Sequence, residues 1–285
     1  MTIKEARVKI ATGILGIYDS GEANSIADLV MDTLTGKQRA DRILFKDQEL
    51  EIQDEKRIIS ILERLLLHEP VQYILNEAWF CGFKFYVDLN VLIPRPETEE
   101  LVEWVISDCK FPIEALKILD MGTGSGCIAV AMKRRIRKAE VWACDQSTDA
   151  LTIARRNADT MGAAVDFLQL NFLDSAERGQ LPNHFDIIIS NPPYIPLTEK
   201  SGLAKNVVAF EPAEALFVSD NDPLVFYKAI AQFGLGHLRK QGQVYVELHE
   251  AYSNGVKELF ESSGYDCEIR IDISGKPRMA RAIRK

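Results

Sequence analysis

The stretch KILDMGTGSGCIAV, residues 117–130, decides the fold of this 285-residue chain. Its apolar beginning predicts a buried strand over 117–121, and its end predicts a helix that begins near Ser125. The turn between them carries three glycines in a G-x-G-x-G pattern: Gly122, Gly124 and Gly126. Glycine allows positive φ and a close backbone approach to a ligand, and the free N–H groups of a helix start favour a carboxylate or phosphate. The stretch therefore predicts a ligand site at a strand-to-helix turn.

Strands and helices are predicted to alternate after this turn. Apolar and β-branched runs predict further strands over 141–145, 165–170, 185–190, 243–248, 266–272 and 278–283. Helical spacing predicts helices over 147–161, 222–239 and 252–263. This alternation predicts an α/β fold whose mostly parallel sheet has helices on both faces. The last two strands are close in sequence, so one of them is predicted to be antiparallel.

The chain before this region has a different character. Apolar residues at helical spacing mark a first and a third helix: Ile10, Ile14 and Leu15 on one face, then Ile58, Ile59, Leu62, Leu65 and Leu66. A second helix is predicted to be capped by Asn24 or Ser25 and to end at Gly36. Aromatic and β-branched residues around Gly82 predict a hairpin. The predicted divisions are a small all-helical N-terminal domain over 1–75, a β-hairpin linker over 76–92 and the sheet domain over 93–285.

Composition limits the class of protein. Hydrophobic residues make up 47% and charged residues 27% of the chain, as in ordinary globular proteins. There is no apolar run of 18 residues and no apolar secretion signal at the start, so no membrane segment is expected. The five cysteines form no C-x-x-C pair, and the four histidines have no metal-ligand spacing, so we expect no metal and a cytoplasmic location. A formal net charge of −8 disfavours direct nucleic acid binding.

Polar residues at two strand ends suggest a nucleoside-bearing cofactor. Asp145 ends the second strand, where a carboxylate can accept both hydroxyl hydrogens of a ribose. Asn171 and Phe172 end the third strand, where they can hydrogen-bond and flank an adenine. The pattern does not distinguish NAD from S-adenosylmethionine. The alternatives are a tight turn with a surface Asp145, and a core Phe172 beside a turn Asn171.

The stretch SNPPYI, residues 190–195, follows the fourth strand. Proline forces Asn191 into an extended backbone, and Pro192 and Pro193 fix φ and lack an N–H. The Asn191 side-chain oxygen and a proline carbonyl can together accept both hydrogens of a planar –NH₂ group, and Tyr194 offers a ring to stack on it. This arrangement predicts a site that positions an amide or aromatic amine for methylation. The alternative is a proline turn after a strand.

In order and spacing, LDMGTGSG, ACD, NF and SNPPYI resemble class I (Rossmann-like) S-adenosylmethionine-dependent N-methyltransferases. The surrounding stretches HEPVQYI, VLIPRPETEELV, FEPAEALF, VELHEAYSNGV and ISGKPRMA resemble the HemK/PrmC family. That family methylates the side-chain amide nitrogen (N5) of the glutamine in the Gly-Gly-Gln motif of class I peptide chain release factors, and leaves S-adenosylhomocysteine. The resemblance covers nearly the whole chain, including the helical N-terminal domain, which would dock the substrate protein.

The resemblance also implies roles for individual residues. The cofactor's methionine part would lie on Gly122, Thr123, Gly124, Ser125 and Gly126, and its ribose on Asp145. Phe172 would flank the adenine beside Asn171. Asn191 would also contact the cofactor, and Arg95 and Glu97 would help close the site. The substrate glutamine would be bound, and its methylation catalysed, by Asn191, Pro192, Pro193 and Tyr194. This chain departs from the family in Glu247-Leu248-His249, where Glu-Ile-Gly is usual, and in FVSDNDPL, residues 217–224, where a Gly-Gly-x-Asp-Gly stretch is commoner.

Three other functions fit parts of the pattern. A DNA or RNA methyltransferase can present the same pocket to an exocyclic amine, after base flipping in a duplex, and would bind its substrate with a strong salt dependence. A nicotinamide-dependent oxidoreductase can use the same glycine loop and Asp145. A module that binds release factors without catalysis would retain binding and transfer no methyl group.

Overall fold

The computed structural model describes residues 1–109 and 116–285 and divides into two compact units. The first unit consists of Met1–Glu77 with Ala204–Phe210, and the second of Ala78–Leu203 with Glu211–Lys285. No sequence pattern indicates that residues 204–210 belong with the first unit. The functional roles assigned to the divisions at residues 75 and 92 stay predictions.

The helices and strands are numbered in chain order. The α-helices are α1 (Ile3–Gly13), α2 (Ser20–Thr35), α3 (Arg39–Leu44), α4 (Ile52–Leu66), α5 (Val71–Leu75), α6 (Pro96–Asp108), α7 (Cys127–Arg135), α8 (Thr148–Thr160), α9 (Ser175–Arg178), α10 (Lys205–Phe210), α11 (Ala213–Leu216), α12 (Val225–His237) and α13 (Ser253–Ser262). The strands are β1 (Ala78–Phe80), β2 (Phe83–Phe85), β3 (Lys117–Met121), β4 (Glu140–Asp145), β5 (Asp166–Gln169), β6 (Phe185–Ser190), β7 (Ile195–Pro196), β8 (Phe217–Val218), β9 (Leu238–Glu247), β10 (Tyr265–Ile271) and β11 (Pro277–Arg284).

Helix α2 begins earlier than predicted. Asp19 caps it, and its carboxylate accepts the N–H of Glu22 at 2.9 Å. The predicted cap at Asn24 or Ser25 is wrong, because both side chains hydrogen-bond to carbonyls inside the helix instead. The predicted end is correct, since Gly36 has the left-handed conformation that closes a helix, with φ of 64°.

The core of the first unit lies between its helices. Ile10 and Ile14 are fully buried, but Leu15 is 49% exposed. The face predicted for Leu15 is therefore wrong, because α1 ends at Gly13 and the residues beyond it leave the helical spacing. The other buried apolar residues of this cluster include Ala23, Ile26, Val30, Met31, Ile58, Ile61 and Leu65.

The second unit contains a seven-stranded sheet in the order β10-β11-β9-β6-β3-β4-β5. The five strands from β9 to β5 pair in parallel, and β11 is antiparallel to both of its neighbours. The predicted mostly parallel sheet with one antiparallel strand near the end is confirmed. Two apolar cores cover its two faces, one with α6 and α7 and the other with α12 and α13.

The order of the parallel strands positions the site. From β3 the chain adds β4 and then β5 toward one edge of the sheet. It later adds β6 and then β9 on the opposite flank of β3, toward the other edge. This reversal is a topological switch point, where ligands bind beyond the carboxyl ends of strands. Met121 of β3 pairs with Ser190 of β6, so Gly122 and Asn191 follow neighbouring strand ends.

The hairpin is shorter than the predicted segment. Strands β1 and β2 pair antiparallel across Cys81 and Gly82, whose φ values are both positive, 50° and 77°, as a tight two-residue turn requires. Phe80 and Phe85 are buried and meet edge to face with ring centroids 6.1 Å apart. Phe80 and Phe85 therefore belong to the core of the second unit.

Candidate active site

The glycine-rich loop passes from β3 to α7 through three left-handed residues. The φ values are +69° at Gly122, +53° at Gly124 and +80° at Gly126. A Cβ on Gly126 would lie 3.0 Å from the Cβ and 3.1 Å from the Cα of Ala154, so this glycine allows α7 to start against α8. A Cβ on Gly122 or Gly124 would meet no described atom within 4 Å. Those two positions leave room for a ligand against the backbone.

Asp120 of β3 braces this loop and was not singled out from the sequence. Its Oδ2 accepts the hydroxyl hydrogen of Thr123 at 2.5 Å and the N–H of Ala129 at 3.1 Å. The residue is fully buried. Burial raises the pKa of Asp120 to about 7, although both hydrogen bonds oppose the rise. An acidic residue inside the apolar run KILDM was the signal that could have indicated this brace.

Asp145 closes the same loop from the end of β4. Its Oδ2 accepts the N–H of Gly124 and its Oδ1 the N–H of Ser147, both at 2.9 Å. Burial raises the pKa of Asp145, while these backbone donors oppose the rise. Each carboxylate oxygen retains a lone pair for another donor. The carboxylate is thus fixed in the place predicted for the ribose contact, and that role stays a prediction.

Asn171 and Phe172 follow β5 and have structural partners of their own. The Asn171 Oδ1 accepts the N–H of Leu173 at 3.0 Å and so caps a turn. Phe172 is buried, lies edge to face with Phe233 at 5.3 Å between ring centroids, and has the Arg178 guanidinium 5.3 Å from its ring. Both residues also line the cleft described below. The structural partners do not decide between the two sequence interpretations, and the adenine contact stays a prediction.

The Asn191 side chain is held by residues far away in the sequence. Its Nδ2 donates to the Thr98 Oγ1 at 3.0 Å, and the Thr98 hydroxyl donates to the Glu247 Oε2 at 2.6 Å. The Tyr194 hydroxyl donates to the other Glu247 oxygen at 2.9 Å. No described residue donates a hydrogen bond to the Asn191 Oδ1 in this structure. The amide oxygen is therefore the acceptor left for a ligand.

Glu247, at the end of β9, joins these contacts. It is 1% exposed, and its backbone carbonyl accepts the Tyr227 hydroxyl at 3.1 Å. Burial raises the pKa of Glu247, and the hydroxyl hydrogen bonds of Thr98 and Tyr194 oppose the rise. The sequence distinguishes Glu247 only as part of the Glu-Leu-His stretch that departs from the family pattern. No local pattern links it to Asn191.

A cleft of about 860 Å³, its open mouth included, runs along these strand ends. Of the predicted site residues, its surface includes Gly122, Gly124, Asp145, Asn171, Phe172, Asn191, Pro192 and Pro193. Four others do not line it: Thr123 and Ser125 are buried, Gly126 packs against α8, and Tyr194 is directed to Glu247. The roles assigned to these four also stay predictions.

Two further chain segments, for which the sequence predicted no contact with a ligand, form another part of this surface. They are residues 90–92 and residues 212–215, of which Pro212, Glu214 and Ala215 line the cleft. An ion pair links their neighbours, with the Arg95 guanidinium 2.5 Å from the carboxylate of buried Glu211. Their stretches VLIPRPETEELV and FEPAEALF were the available signal.

The cleft fits a nucleoside-bearing ligand. Space against Gly122 and Gly124 admits a group close to the backbone, and Asp145 offers a fixed carboxylate on the same cleft. Among residues 1–109 and 116–285, no three His, Cys, Asp or Glu side chains gather as a metal site. No helix in that part of the chain combines the length and apolar character needed to cross a membrane.

Comparison with known proteins gives the family. A model of the PrmC N-terminal domain matches residues 10–75, and a model of the methyltransferase small domain matches residues 102–216. A release factor glutamine methyltransferase of Flavobacterium psychrophilum is 38% identical over 284 residues, which cover 99% of each chain. The chain belongs to the release factor glutamine methyltransferase family. The predicted resemblance and the predicted enzyme class are confirmed.

A second curated relative supports the same family, and a solved structure supports the fold. The enzyme of the same name from Bacteroides thetaiotaomicron is 39% identical over 276 residues, 96% of this chain and 98% of its own. A methyltransferase structure from Pyrococcus furiosus superposes with a TM-score of 0.54 at 17% identity, over 81% of this chain and 98% of that one. The latter likeness concerns the fold alone, and the predicted Rossmann-like methyltransferase fold is confirmed.

Proposed function

We propose that this chain transfers a methyl group from S-adenosylmethionine to the side-chain amide nitrogen (N5) of the glutamine in the Gly-Gly-Gln motif of class I peptide chain release factors. The observation that carries the proposal is the Asn191 carboxamide. It lines the cleft one strand end away from the glycine loop, and its nitrogen is already occupied by Thr98. An oxygen held in this way accepts an N–H and suits an amide substrate.

The cofactor would lie along the glycine loop. Gly122 and Gly124 would face its methionine part, Asp145 would accept from its ribose hydroxyls, and Asn171 and Phe172 would flank its adenine. When bound, S-adenosylmethionine supplies an electrophilic methyl carbon beside a sulfonium. The backbone amides that Asp145 fixes would keep this side of the cleft rigid during turnover.

Asn191 and the prolines would position the substrate nitrogen. The Asn191 Oδ1 and a carbonyl from Pro192 or Pro193 would each accept one N–H bond of the glutamine amide. Holding both hydrogens orients the nitrogen lone pair toward the methyl donor and lowers the entropic barrier to attack. A strong base is not needed before transfer, because the amide proton becomes acidic once the nitrogen is alkylated.

The Tyr194 ring does not line the cleft, and its stacking on the substrate amide stays a prediction. Its hydroxyl donates to Glu247, and the charge and burial around that contact raise the pKa of Tyr194 well above its usual range. Desolvation is the largest cause of this shift. The phenol therefore stays protonated at neutral pH, and Tyr194 is a hydrogen-bond donor to Glu247 and not a base.

The partner would be a protein, recognised in part by the helical unit. A net charge of −8 gives little support for a nucleic acid substrate. Helices α1 to α5 would dock the body of the release factor while its glutamine enters the cleft. The five cysteines are all free thiols, in keeping with the proposed location in the reducing cytosol.

The proposal is tested by incubating a purified release factor with the enzyme and S-adenosylmethionine. We expect mass spectrometry to show a gain of one methyl group on the Gly-Gly-Gln peptide. Asn191→Ala should reduce turnover on the order of 100-fold, because it removes an acceptor that positions the nucleophile. It should bind S-adenosylhomocysteine with little change. An unshifted peptide with wild-type enzyme, or methylation of DNA or RNA in its place, would overturn the proposal.

A further inference from the structure

The hydrogen bonds from Asn191 to Glu247 have a direction that their chemistry dictates. An ionised carboxylate only accepts hydrogen bonds, whereas a threonine hydroxyl has one hydrogen to donate. The Thr98 hydroxyl lies 2.6 Å from the Glu247 Oε2 and must therefore donate its hydrogen to the carboxylate. Its oxygen can then only accept from Asn191, which must offer its –NH₂ group, as it does at 3.0 Å.

We propose that Glu247, acting through Thr98, sets the orientation of the Asn191 carboxamide and so makes Oδ1 the atom presented to the substrate amine. Thr98 and Glu247 are positioning residues and do not touch the substrate. The inference rests on the proposed methylation of a glutamine amide. If the carboxamide were reversed, Asn191 would present an –NH₂ group to another –NH₂ group, and two donors do not bond.

The surroundings keep Glu247 from relaxing into other arrangements. Thr98 is 3% and Glu247 1% exposed, so water does not compete for either group. The second carboxylate oxygen is engaged by Tyr194 at 2.9 Å. Both oxygens of the Glu247 carboxylate are thus hydrogen-bonded, one by Thr98 and one by Tyr194, and this fixes the direction of the Thr98 hydroxyl that orients Asn191.

Two substitutions remove or reverse the hydrogen bonds that orient Asn191, one at Thr98 and one at Glu247. Thr98→Val keeps the shape of the side chain and removes the hydroxyl. Glu247→Gln keeps the shape of the carboxylate, and its Oε1 can still accept from Tyr194, while its Nε2 donates to Thr98 and turns the hydroxyl toward the Asn191 Oδ1. We expect each to lower kcat for glutamine methylation about 30-fold, the scale of a lost hydrogen bond to a charged group. The dissociation constant of S-adenosylhomocysteine should stay within about 2-fold in both variants, because both retain Asn191 and leave the glycine loop and Asp145 unchanged.

A double-mutant cycle separates this relay from a general structural effect. If Glu247 acts through Thr98, the kcat of the double variant should be about as low as that of either single variant. The first substitution already removes the orientation of Asn191, so the second has no further effect on it. Independent structural damage would multiply the two losses to roughly 900-fold, the product that additivity predicts. Thr98→Ser, which retains the hydroxyl, should recover most of the turnover lost in Thr98→Val.

Tyr227→Phe is the matched control. It removes a buried hydroxyl bonded to the same glutamate, but to its backbone carbonyl. We expect a lower Tm with kcat close to wild type. A 30-fold loss of kcat in this variant would mean that any disturbance near Glu247 suffices, and it would overturn the inference.

A measurement without substrate or cofactor tests the orientation itself. The side-chain ¹⁵N–H signal of Asn191, assigned by its absence from Asn191→Ala, should exchange slowly with solvent in the wild type and faster in Thr98→Val, since the hydroxyl acceptor is gone. Equal exchange rates, or wild-type kcat in Thr98→Val, would overturn the inference. Failure of the wild type to methylate a release factor would overturn the proposed function instead, and the exchange rates would still decide the orientation.

Discussion

Two buried carboxylates at strand ends support the two halves of the cleft, and they do so over very different distances along the chain. Asp120 of β3 holds the glycine loop through Thr123 and Ala129, which are 3 and 9 residues away. Glu247 of β9 holds the Asn191 loop through Tyr194 and Thr98, which are 53 and 149 residues away. Burial raises the pKa of both.

The difference shows which half depends on local contacts and which depends on the finished fold. The Asp120 contacts close within one strand–turn–helix unit, so local chain closure suffices. The Glu247 contacts require β9, α6 and the end of β6 to be assembled first. The cofactor half is therefore a local motif, and the substrate half is a product of tertiary structure.

The largest expected effect comes from the charge on Asp120. A carboxyl whose pKa is raised in the folded protein binds its proton more tightly there than in the unfolded chain, so stability is greatest below the unfolded pKa and is lost as pH rises toward about 7. From the ordinary value near 4, this loss is on the order of 4 kcal/mol as an upper bound. Asp120→Asn should remove this dependence, so that its Tm changes less than that of the wild type between pH 4.5 and 8 in ligand-free protein.

Asp186→Asn is the control for removing a buried carboxylate. Asp186 is 3% exposed, lies 3.0 Å from the Arg239 guanidinium and accepts the N–H of Lys117 at 2.8 Å. Neutralising it should lower the Tm at pH 8, because a charged partner is lost. If Asp120→Asn behaves in the same way and its Tm depends on pH as strongly as that of the wild type, the interpretation of Asp120 as a buried, costly charge is wrong.

What the sequence predicted follows the same division between local and distant contacts. Strand β6 was placed correctly at 185–190 and β3 at 117–121, and the glycine loop lies between the elements predicted for it, because periodicity and turn residues are local signals. Helix α7 begins two residues later than expected because Gly126 is its cap. The support of Asn191 by Thr98 and Glu247 was not predictable, since no spacing rule relates residues so far apart.

The next effect is steric and tests how tightly the local half is packed. Gly126→Ala would place a methyl group 3.0 Å from the Ala154 Cβ in a backbone with φ of +80°. Left-handed strain costs about 1 kcal/mol and overpacking adds about 2 kcal/mol, so we expect urea unfolding to show a loss of about 3 kcal/mol. The affinity for S-adenosylhomocysteine should fall as well, because the loop and the start of α7 must shift together.

Gly162→Ala separates strain from overpacking. Gly162 has φ of +59°, and a Cβ there would meet no described atom within 4 Å. It should therefore cost about 1 kcal/mol, the strain alone. Equal losses at Gly126 and Gly162 would show that the approach of α7 to α8 does not limit the loop.

The smallest effect concerns ligand affinity and asks whether the two halves can be disturbed separately. Asp145→Asn leaves one oxygen for the two backbone donors, Gly124 and Ser147, and removes the charge offered to the ribose. Loss of one charged hydrogen bond costs about 2 kcal/mol, so calorimetry should show S-adenosylhomocysteine binding about 30-fold weaker. At saturating cofactor kcat should change little, because the Asn191 loop is held from β9 and not from β4.

Asp149→Asn makes the same charge change at an exposed site on α8 and should leave affinity unaltered. A large fall in kcat in Asp145→Asn with unchanged affinity would mean that the cofactor half also orients the substrate, and the division into a local and a distant half would fail.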